Sequence, residues 1–347
     1  MKTSTDFAKY LSRFLSEYLP HHRDLSPNTI KSYTTTFIQF ISYMRDEKKV
    51  TVERLTLEWL NRDNITGFLL WVKDNRKCSN ATRNYRLAAI SSFARYLQYE
   101  DVGRLSNWQQ ILNIKALKTE KGNINYLTVD AIKLLFSQPN TTTIKGRRDL
   151  ALLALMYDTG ARVQEMADLT PDCVRIENRP YTIRLTGKGR KSRIVPLMDE
   201  QVELLHGYMQ EHHLDIPQKK MHPLFFNNRR EKLTRSGITF ILHMYVTMAR
   251  TDNPEIIPGT VSCHSLRHSK AMHLLQTGVN LIYIRDILGH RSIQTTDIYA
   301  RADSKQKREA LEKAYVDVIP ESKGEYQWEK DKKSTGLASI SQINLFM

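Results

Sequence analysis

Four residues in the last third of the sequence could act together on a phosphodiester: His264, Arg267, His290 and Tyr299. His264 and Arg267 are three residues apart, so on a helix they would project from the same face. An apolar pattern with helical spacing separates this pair from a Leu-Gly-His turn that ends at His290, and Tyr299 follows nine residues later. A tyrosine in such a basic, histidine-containing setting could attack phosphorus and hold it covalently.

The same stretch offers a metal-binding alternative. His264 and His268 are four residues apart, which is a zinc-compatible spacing on a helix. Ser265, however, stands where a His-Glu-x-x-His peptidase motif carries its glutamate, and no clustered carboxylates indicate a two-metal nuclease. We therefore expect no metal site, and we interpret His268 as a packed or hydrogen-bonded structural residue.

Tyr299 is the preferred nucleophile among the 16 tyrosines of the chain. It follows His290 in a short segment that Ser292 could cap. Tyr283 is the main nearby competitor, but it lies within the apolar pattern of residues 281–288, so we interpret it as structural.

A predicted buried helix could bring a further cation to this site. Residues 150–157 are apolar nearly all round, as expected for a helix at the centre of a domain. Gly160 suits a left-handed cap at its end, and Arg162 and Glu165 follow. Such an arginine is either in a structural ion pair or held rigidly for a ligand, and this segment alone slightly favours the ion pair.

The clearest strand pattern is a hairpin. Residues 181–185 and 193–197 alternate apolar and polar side chains, and the turn between them contains two glycines and three cations. A lysine at a hairpin tip is usually only solvated. Lys188, which has a glycine on each side, could instead reach into a groove and contact a phosphate oxygen. A short strand at residues 224–226 could extend the sheet.

The N-terminal third predicts a small bundle of helices and no strand. Apolar residues recur at helical spacing over residues 7–18, 30–44, 61–73 and 79–98, and Ser26 and Pro27 suit the start of the second helix. The cations between these apolar positions form either an ordinary solvated surface or a DNA-contacting one, and we favour DNA contact. The predicted DNA-binding residues, with two from the hairpin, are Lys31, Lys77, Asn80, Thr82, Arg83, Arg86, Arg190 and Lys191.

The composition favours a polyanionic partner. The net charge is +15, and Lys and Arg side chains that neutralise phosphates release counterions and so supply much of the affinity for nucleic acid. The alternative is a basic protein that its charge keeps soluble. Three widely separated cysteines suit a reducing cytosol and argue against a disulfide framework. The N-terminus does not resemble a signal peptide, and no apolar run could span a membrane, so we expect an intracellular soluble protein.

Read in order, these elements resemble the tyrosine recombinase (phage integrase) family, whose catalytic domain also resembles that of type IB topoisomerases. The resemblance covers roughly residues 4–315 and rests on five motifs: Thr159-Gly160-Ala161-Arg162 with Glu165, Gly187-Lys188-Gly189, His264-Ser265-Leu266-Arg267-His268, Leu288-Gly289-His290, and Tyr299. Two positions depart from the family's usual pattern. Ala161 stands where leucine is frequent, and Arg291 stands where small polar residues are frequent.

The resemblance implies a role for each site residue. Arg162 and Arg267 would bind the non-bridging oxygens of the scissile phosphate, and Lys188 would protonate the departing 5′ oxygen. Lys191 is close enough on the turn that the choice between the two lysines stays open. The remaining roles are the following: His264 and His290 position the phosphate and assist proton transfer, Glu165 supports Arg162, and Tyr299 is the nucleophile.

Physical chemistry explains why such a reaction needs these residue types. A tyrosine has a pKa near ~10 and is mostly protonated at neutral pH, so nearby cations are needed to favour its phenolate form and to stabilise charge on the phosphate oxygens. Arginine can grip two oxygens with its planar fork and stays charged. A 3′-phosphotyrosine retains the bond energy, so rejoining would need neither ATP nor a metal ion, and we expect no cofactor.

The resemblance also implies the architecture and the partners. We expect a mainly α (α+β) chain: a SAM-like helical core-binding domain at residues 1–114, a linker at 115–125, a catalytic domain with a small antiparallel sheet at 126–320, and a C-terminal tail at 321–347 that docks on another protomer or frays. The expected partner is double-stranded DNA with an inverted-repeat core site, bound by a homodimer to homotetramer in the cytoplasm at the nucleoid, for integration or excision of a mobile element. The alternatives are a type IB-like topoisomerase and a catalytically silent DNA-binding regulator.

Overall fold

Polar caps set where the helices of the N-terminal part begin. The side chains of Thr5, Ser26, Asn61 and Ser79 each accept a hydrogen bond from the first turn of the helix that follows. Over residues 4–119 the computed structural model has five α-helices: α1 (Asp6–Arg13), α2 (Pro27–Asp46), α3 (Arg62–Asp74), α4 (Asn80–Glu100) and α5 (Leu105–Leu112). The structure as a whole describes residues 4–119, 124–187, 189, 191–290 and 292–302.

The end of the first helix differs from the prediction. The apolar spacing of residues 7–18 predicts one α-helix, but α1 ends at Arg13 and continues as a π-helix, Phe14–His22, with Pro20 inside it. Proline has no backbone N–H and its ring crowds the preceding turn of an α-helix. The wider π turn keeps Phe14 and Leu19 fully buried nonetheless.

An aromatic core holds this bundle together. Phe14, Phe37, Phe40 and Phe93 are at most 1% exposed, and the ring centroids of Phe14 and Phe93 are 5.0 Å apart. Trp108 of α5 is completely buried as well. Large rings of this kind supply much of the apolar area that a small helical unit needs to bury.

Side chains of α4 form hydrogen bonds with the backbone of the first residues of the predicted linker. Asn84 Nδ2 donates to the Leu117 carbonyl at 2.8 Å, and its Oδ1 accepts from the Leu117 N–H at 2.9 Å. Asn80 Nδ2 donates to the Lys118 carbonyl at 2.9 Å, and Arg83, which is 7% exposed, donates to the Lys115 carbonyl at 3.0 Å. Two predicted DNA-binding residues therefore have intramolecular partners, and their role at DNA stays a prediction.

The chain divides into two compact units, Met1–Gly122 and Asn123–Met347. The domain boundaries proposed from the sequence remain predictions, because residues 120–123 lie outside the described part of the chain. The helices of the second unit up to residue 302 are α6 (Val129–Phe136), α7 (Ile144–Asp158), α8 (Val163–Ala167), α9 (Asp199–Glu211), α10 (Arg235–Asp252), α11 (Cys263–Gln276), α12 (Leu281–Leu288) and α13 (Asp297–Ala302).

The predicted central helix is α7, and its apolar residues form the middle of the second core. Leu152, Leu153, Leu155 and Met156 are completely buried, and the core around them includes residues from α6, α9, α10 and the sheet. Gly160 has φ +57°, as predicted for a left-handed position just past the helix. This turn places Arg162 at the start of α8.

The sheet has three antiparallel strands in the order β1 (Val174–Arg175), β2 (Thr182–Thr186) and β3 (Ser192–Pro196). The predicted hairpin is confirmed: Ile183 lies opposite Val195, and both side chains are buried, whereas Ile194 is exposed. The prediction that residues 224–226 extend the sheet is wrong. The Leu224 N–H donates to the Leu169 carbonyl, Phe226 forms an isolated bridge with Lys232, and it is β1 that pairs with β2 on the side away from β3.

Residues 4–119, 124–187, 189, 191–290 and 292–302 contain no helix that could span a membrane. They also contain no group of three or more His, Cys, Asp and Glu side chains placed to hold a metal ion.

Candidate active site

Arg162 is positioned by Glu165, one turn away on α8. The Arg162 N–H donates to Glu165 Oε2 at 2.9 Å, and its guanidinium donates to Oε1 at 2.8 Å. The same guanidinium donates to the Gly289 carbonyl at 3.2 Å. The ion pair that the sequence slightly favoured is therefore present, while 34% of the side chain stays exposed with N–H groups to spare. Its role at a phosphate stays a prediction.

Glu165 is a buried carboxylate that stays ionised. Its side chain is 3% exposed, and burial alone would raise its pKa. Hydrogen bonds and charge from Arg193, followed by hydrogen bonds from Arg162, outweigh that effect and bring the pKa down to about 2.

Arg267 projects from α11 into the same site and is 3% exposed. Its guanidinium donates to the Gly160 carbonyl and to the Leu288 carbonyl, both at 2.6 Å. It thus connects the turn after α7 with the end of α12. Burial, followed by the nearby charge of Arg162, lowers the pKa of Arg267 to about 10, so it remains charged at neutral pH.

Tyr299 of α13 packs in a small apolar cluster with Met272 and Leu275 of α11 and Ile284 and Leu288 of α12. It is 1% exposed. Burial raises the pKa of its hydroxyl, and the charges of Arg267 and Arg162 oppose that rise. The sequence-based choice of tyrosine therefore falls on a side chain beside both predicted phosphate-binding arginines.

The hydroxyl of Tyr299 shares a hydrogen bond of 2.9 Å with His268 Nδ1. His268 was interpreted as a packed or hydrogen-bonded structural residue, and its partner is the predicted nucleophile itself. Burial lowers the pKa of His268 to about 4, so its imidazole is neutral at pH 7. Sequence spacing could not identify this contact, because it joins residues 31 positions apart on two helices.

The ring of His290 also stacks on that of Tyr299, with the two ring centroids 6.3 Å apart and the ring planes nearly parallel. Its Nδ1 is 3.0 Å from the hydroxyl of the buried Thr296. Burial, then the charges of Arg267 and Arg162, lower the pKa of His290 to about 4. His264 is more exposed, and partial burial and the same two arginines lower its pKa too.

An open cavity of about 640 Å³ lies beside Arg162 and His290. Its wall includes four cationic side chains, of Arg162, Lys191, Arg193 and Arg285, and one carboxylate, of Asp286. Lys191 is thus placed at the site, whereas Lys188 and Arg190 fall in gaps of the described chain. The choice between Lys188 and Lys191 as the proton donor stays open.

The remaining predicted DNA-binding residues of the N-terminal unit differ in exposure. Lys31 and Lys77 are exposed. The hydroxyl of Thr82 is 3.2 Å from that of Ser79 at the start of α4, and Arg86 donates to the hydroxyl of Thr36 on α2 at 3.2 Å. The two lysines are thus the members of this set best placed for a phosphate.

Two family models match the chain. The model described as "Phage integrase family" matches residues 125–306, and that described as "Phage integrase, N-terminal SAM-like domain" matches residues 11–101. The protein y4rC of Sinorhizobium fredii is 32% identical over 314 residues, or 90% of this chain and 93% of that protein. Tyrosine recombinase XerD of Listeria monocytogenes is 33% identical over 284 residues, or 81% of this chain and 90% of XerD.

Solved structures share the fold. The XerH site-specific recombinase bound to a palindromic difH substrate matches with a TM-score of 0.66 and 21% identity, covering 90% of each chain. At this identity the similarity concerns the fold. It confirms the prediction of a SAM-like helical unit followed by a mainly α unit with a small antiparallel sheet.

Proposed function

The chain belongs to the phage integrase family of tyrosine recombinases, and we propose that it carries out site-specific recombination of double-stranded DNA with Tyr299 as the nucleophile. One observation carries the proposal. Tyr299 is hydrogen-bonded to His268 and stacks with His290, and the charges of Arg267 and Arg162 oppose the rise in the pKa of its hydroxyl. These four residues come from three places in the chain, α11, the start of α8 and the turn after α12, and two of them, Arg162 and His290, also line the basic cavity.

The phosphate would be held by Arg162 and Arg267. Each guanidinium has five N–H groups. The guanidinium of Arg162 donates one hydrogen bond to Glu165 and one to Gly289, and that of Arg267 donates one each to Gly160 and Leu288. These hydrogen bonds fix the orientation of both guanidiniums and leave N–H groups for the non-bridging oxygens of the phosphate. Fixed donors of this kind stabilise the charge that develops on phosphorus without reorganising during the reaction.

The reaction would proceed by in-line attack. The Tyr299 oxygen forms a bond to phosphorus and gives its proton to His264 or His290, while the bond to the 5′ oxygen breaks and that oxygen takes a proton from Lys188 or Lys191. The products are a 3′-phosphotyrosine and a 5′ hydroxyl. Attack by a 5′ hydroxyl of another strand reverses these steps, so no bond energy needs to be supplied.

Tyr299 would have to leave its partner before it attacks. Its hydroxyl is buried and bonded to His268, and burial raises its pKa. Close approach of an anionic phosphate requires that this hydroxyl turn toward the two arginines, whose charge favours the phenolate.

The substrate for a first test can be selected without knowing the target sequence. A library of nicked duplexes with random sequence is incubated with the protein, the mixture is denatured, and DNA that remains covalently attached is sequenced. We expect enrichment of one inverted-repeat sequence with the wild type and none with Tyr299→Phe. Tyr283→Phe is the matched control, and it should behave as the wild type.

The outcomes separate the competing functions. An adduct that persists in Tyr299→Phe would refute the nucleophile assignment. Adducts without sequence enrichment, together with relaxation of supercoiled plasmids, would indicate a topoisomerase. Tight binding of one sequence without any adduct would indicate a catalytically silent regulator.

The assembly is also part of the proposal. We propose that two to four copies bind one inverted-repeat site and act in integration or excision of a mobile element, at the nucleoid in the cytoplasm. The tail at residues 321–347, which lies outside the described residues, would dock on a neighbouring protomer. Its deletion should weaken pairing of two sites while leaving single-site DNA binding intact, and an unchanged recombination rate would refute the docking.

A further inference from the structure

A third arginine lies behind the two that face the phosphate. Arg193 of β3 donates to both oxygens of Glu165, from Nη1 to Oε1 at 3.0 Å and from Nη2 to Oε2 at 2.8 Å, and from Nε to the Ile287 carbonyl at 2.7 Å. Its side chain is 11% exposed. Building on the proposed function, we propose that Arg193 is a positioning residue that keeps Arg162 available for the phosphate and holds the turn that carries His290.

The first part of this role concerns charge. Each oxygen of Glu165 accepts one hydrogen bond from Arg162 and one from Arg193. Two guanidiniums and one carboxylate leave a net charge of +1 in this buried group. Without Arg193, Glu165 would pair with Arg162 alone, and the charge of that arginine would be neutralised where the phosphate needs it.

The second part concerns the end of α12. Three successive carbonyls, of residues 287, 288 and 289, each accept a hydrogen bond from a different arginine: Ile287 from Arg193, Leu288 from Arg267 and Gly289 from Arg162. Carbonyls at the end of a helix lack intrahelical donors and carry the negative end of the helix dipole. All three guanidiniums are thus anchored on one helix end, directly before His290.

Gly289 adds a steric reason for this arrangement. It has φ +63°, and a Cβ built there would lie 2.9 Å from Arg193 Cδ and 3.0 Å from Nη1. The aliphatic part of Arg193 therefore packs directly on the backbone of the turn. Arg193 therefore joins β3, α8 and this turn, and its fork donates to Glu165.

A lysine in place of Arg193 would keep the positive charge but lose the bidentate hydrogen bonding of the guanidinium. With the nicked duplex selected above, Arg193→Lys and Arg193→Met should each lower the single-turnover rate of adduct formation by about 10- to 100-fold, as expected when a supporting residue is removed. Arg184→Lys is the matched control on the same sheet, since Arg184 pairs with Asp172 at the surface. It should leave the rate unchanged.

A double variant separates positioning from loss of structure. Glu165→Gln alone should slow adduct formation, but in the Arg193→Met background it should restore part of the rate, because no buried carboxylate then competes for Arg162. Rates of Arg193→Met equal to the wild type, or effects of the two changes that simply multiply, would overturn the proposal.

A readout without DNA keeps the inference independent of the recombinase assignment. The ring NMR signals of His290 should shift in Arg193→Met relative to wild type and to Arg184→Met, while those of His212 on α9 stay in place. Unmoved His290 signals would overturn the positioning role. A wild type that forms no adduct with any DNA would refute the proposed function, and the NMR comparison would still test Arg193.

Discussion

At the scale of single residues, the site combines groups that sequence order could identify with groups that it could not. Arg162, Arg267, His290 and Tyr299 could be singled out because each belongs to a short motif in the sequence. His268 and Arg193 could not be assigned partners, because their contacts with Tyr299 and Glu165 span 31 and 28 residues. Such contacts depend on how helices and strands pack, which local spacing does not encode.

The hydrogen bond between Tyr299 and His268 should contribute to stability. His268→Ala would leave the buried hydroxyl without this partner and should reduce the free energy of unfolding by about 1–3 kcal/mol. Tyr299→Phe removes the hydroxyl instead and should cost less. A double-mutant cycle measured by urea unfolding should give a coupling energy of about 0.5–3 kcal/mol, and additive effects would contradict the contact.

The buried histidines should make the protein sensitive to mild acid. Burial is the first cause that lowers the pKa of both His268 and His290, from an ordinary 6.5 to about 4. Below pH 6.5 the unfolded chain therefore binds protons that the folded chain does not, so stability falls as the pH drops from 6.5 toward 4. Above pH 6.5 the two histidines are neutral in both the folded and the unfolded chain, so they cause no loss of stability there.

Urea unfolding across pH 7 to 4.5 measures this dependence. Glutamine at both positions 268 and 290 should flatten the curve, because the proton uptake of the unfolded state is removed. His22→Gln, which changes an exposed histidine of the other unit, is the control and should keep the wild-type slope. An equally steep curve in the double variant would contradict the assignment.

At the scale of helices and strands, the sequence predicted local interactions better than long-range ones. Ser26 and Ser79 cap α2 and α4, because capping is a local interaction between residues two or three apart. The π-helix after α1 and the failure of residues 224–226 to join the sheet were missed. The π-helix contains Pro20, which an α-helix does not accommodate. The position of residues 224–226 depends instead on a neighbour distant in sequence, since the Leu224 N–H donates to the Leu169 carbonyl.

The turn after α7 should be intolerant of a side chain. Gly160 has φ +57°, and a Cβ there would lie 2.6 Å from Leu288 Cδ2. Gly160→Ala should therefore lower the free energy of unfolding by about 1–3 kcal/mol. It should also slow adduct formation, since the Gly160 carbonyl holds Arg267.

Gly207 provides the matched control for this prediction. It lies within α9 with open space around its Cα and an ordinary helical backbone. Gly207→Ala should be neutral or stabilise the protein by about 0.5–1 kcal/mol. If Gly160→Ala and Gly207→Ala changed the free energy of unfolding in urea equally, the predicted strain at Gly160 would be absent.

At the scale of the whole molecule, charge should govern DNA binding. The net charge is +15, and each phosphate that a cation neutralises should contribute about −0.9 to the slope of log affinity against log salt concentration. Lys31→Ala should make this slope shallower by about 0.9, the contribution of one phosphate contact. Lys48→Ala, at an exposed position with no predicted DNA contact, should leave it unchanged; equal slopes for both would contradict the prediction.

The two-unit organisation and the mainly helical fold could be predicted because each unit carries a long, strongly periodic apolar pattern of its own. The specificity for one DNA sequence could not, because base contacts depend on how side chains dock in a groove. Asn80 illustrates the same limit within the chain. It is one of the predicted DNA-binding residues, whereas its amide donates to the backbone carbonyl of Lys118.

The anchoring of three arginines on consecutive carbonyls has a consequence for how this protein can vary in length. Each residue added to an α-helix rotates the following carbonyls by about 100°. One insertion within α12 would therefore misalign the acceptors for Arg193, Arg267 and Arg162 together. An insertion beside Gly278, which has open space around it in the preceding loop, would leave that alignment untouched. Natural and engineered length changes should thus be found in the loop and not in the helix.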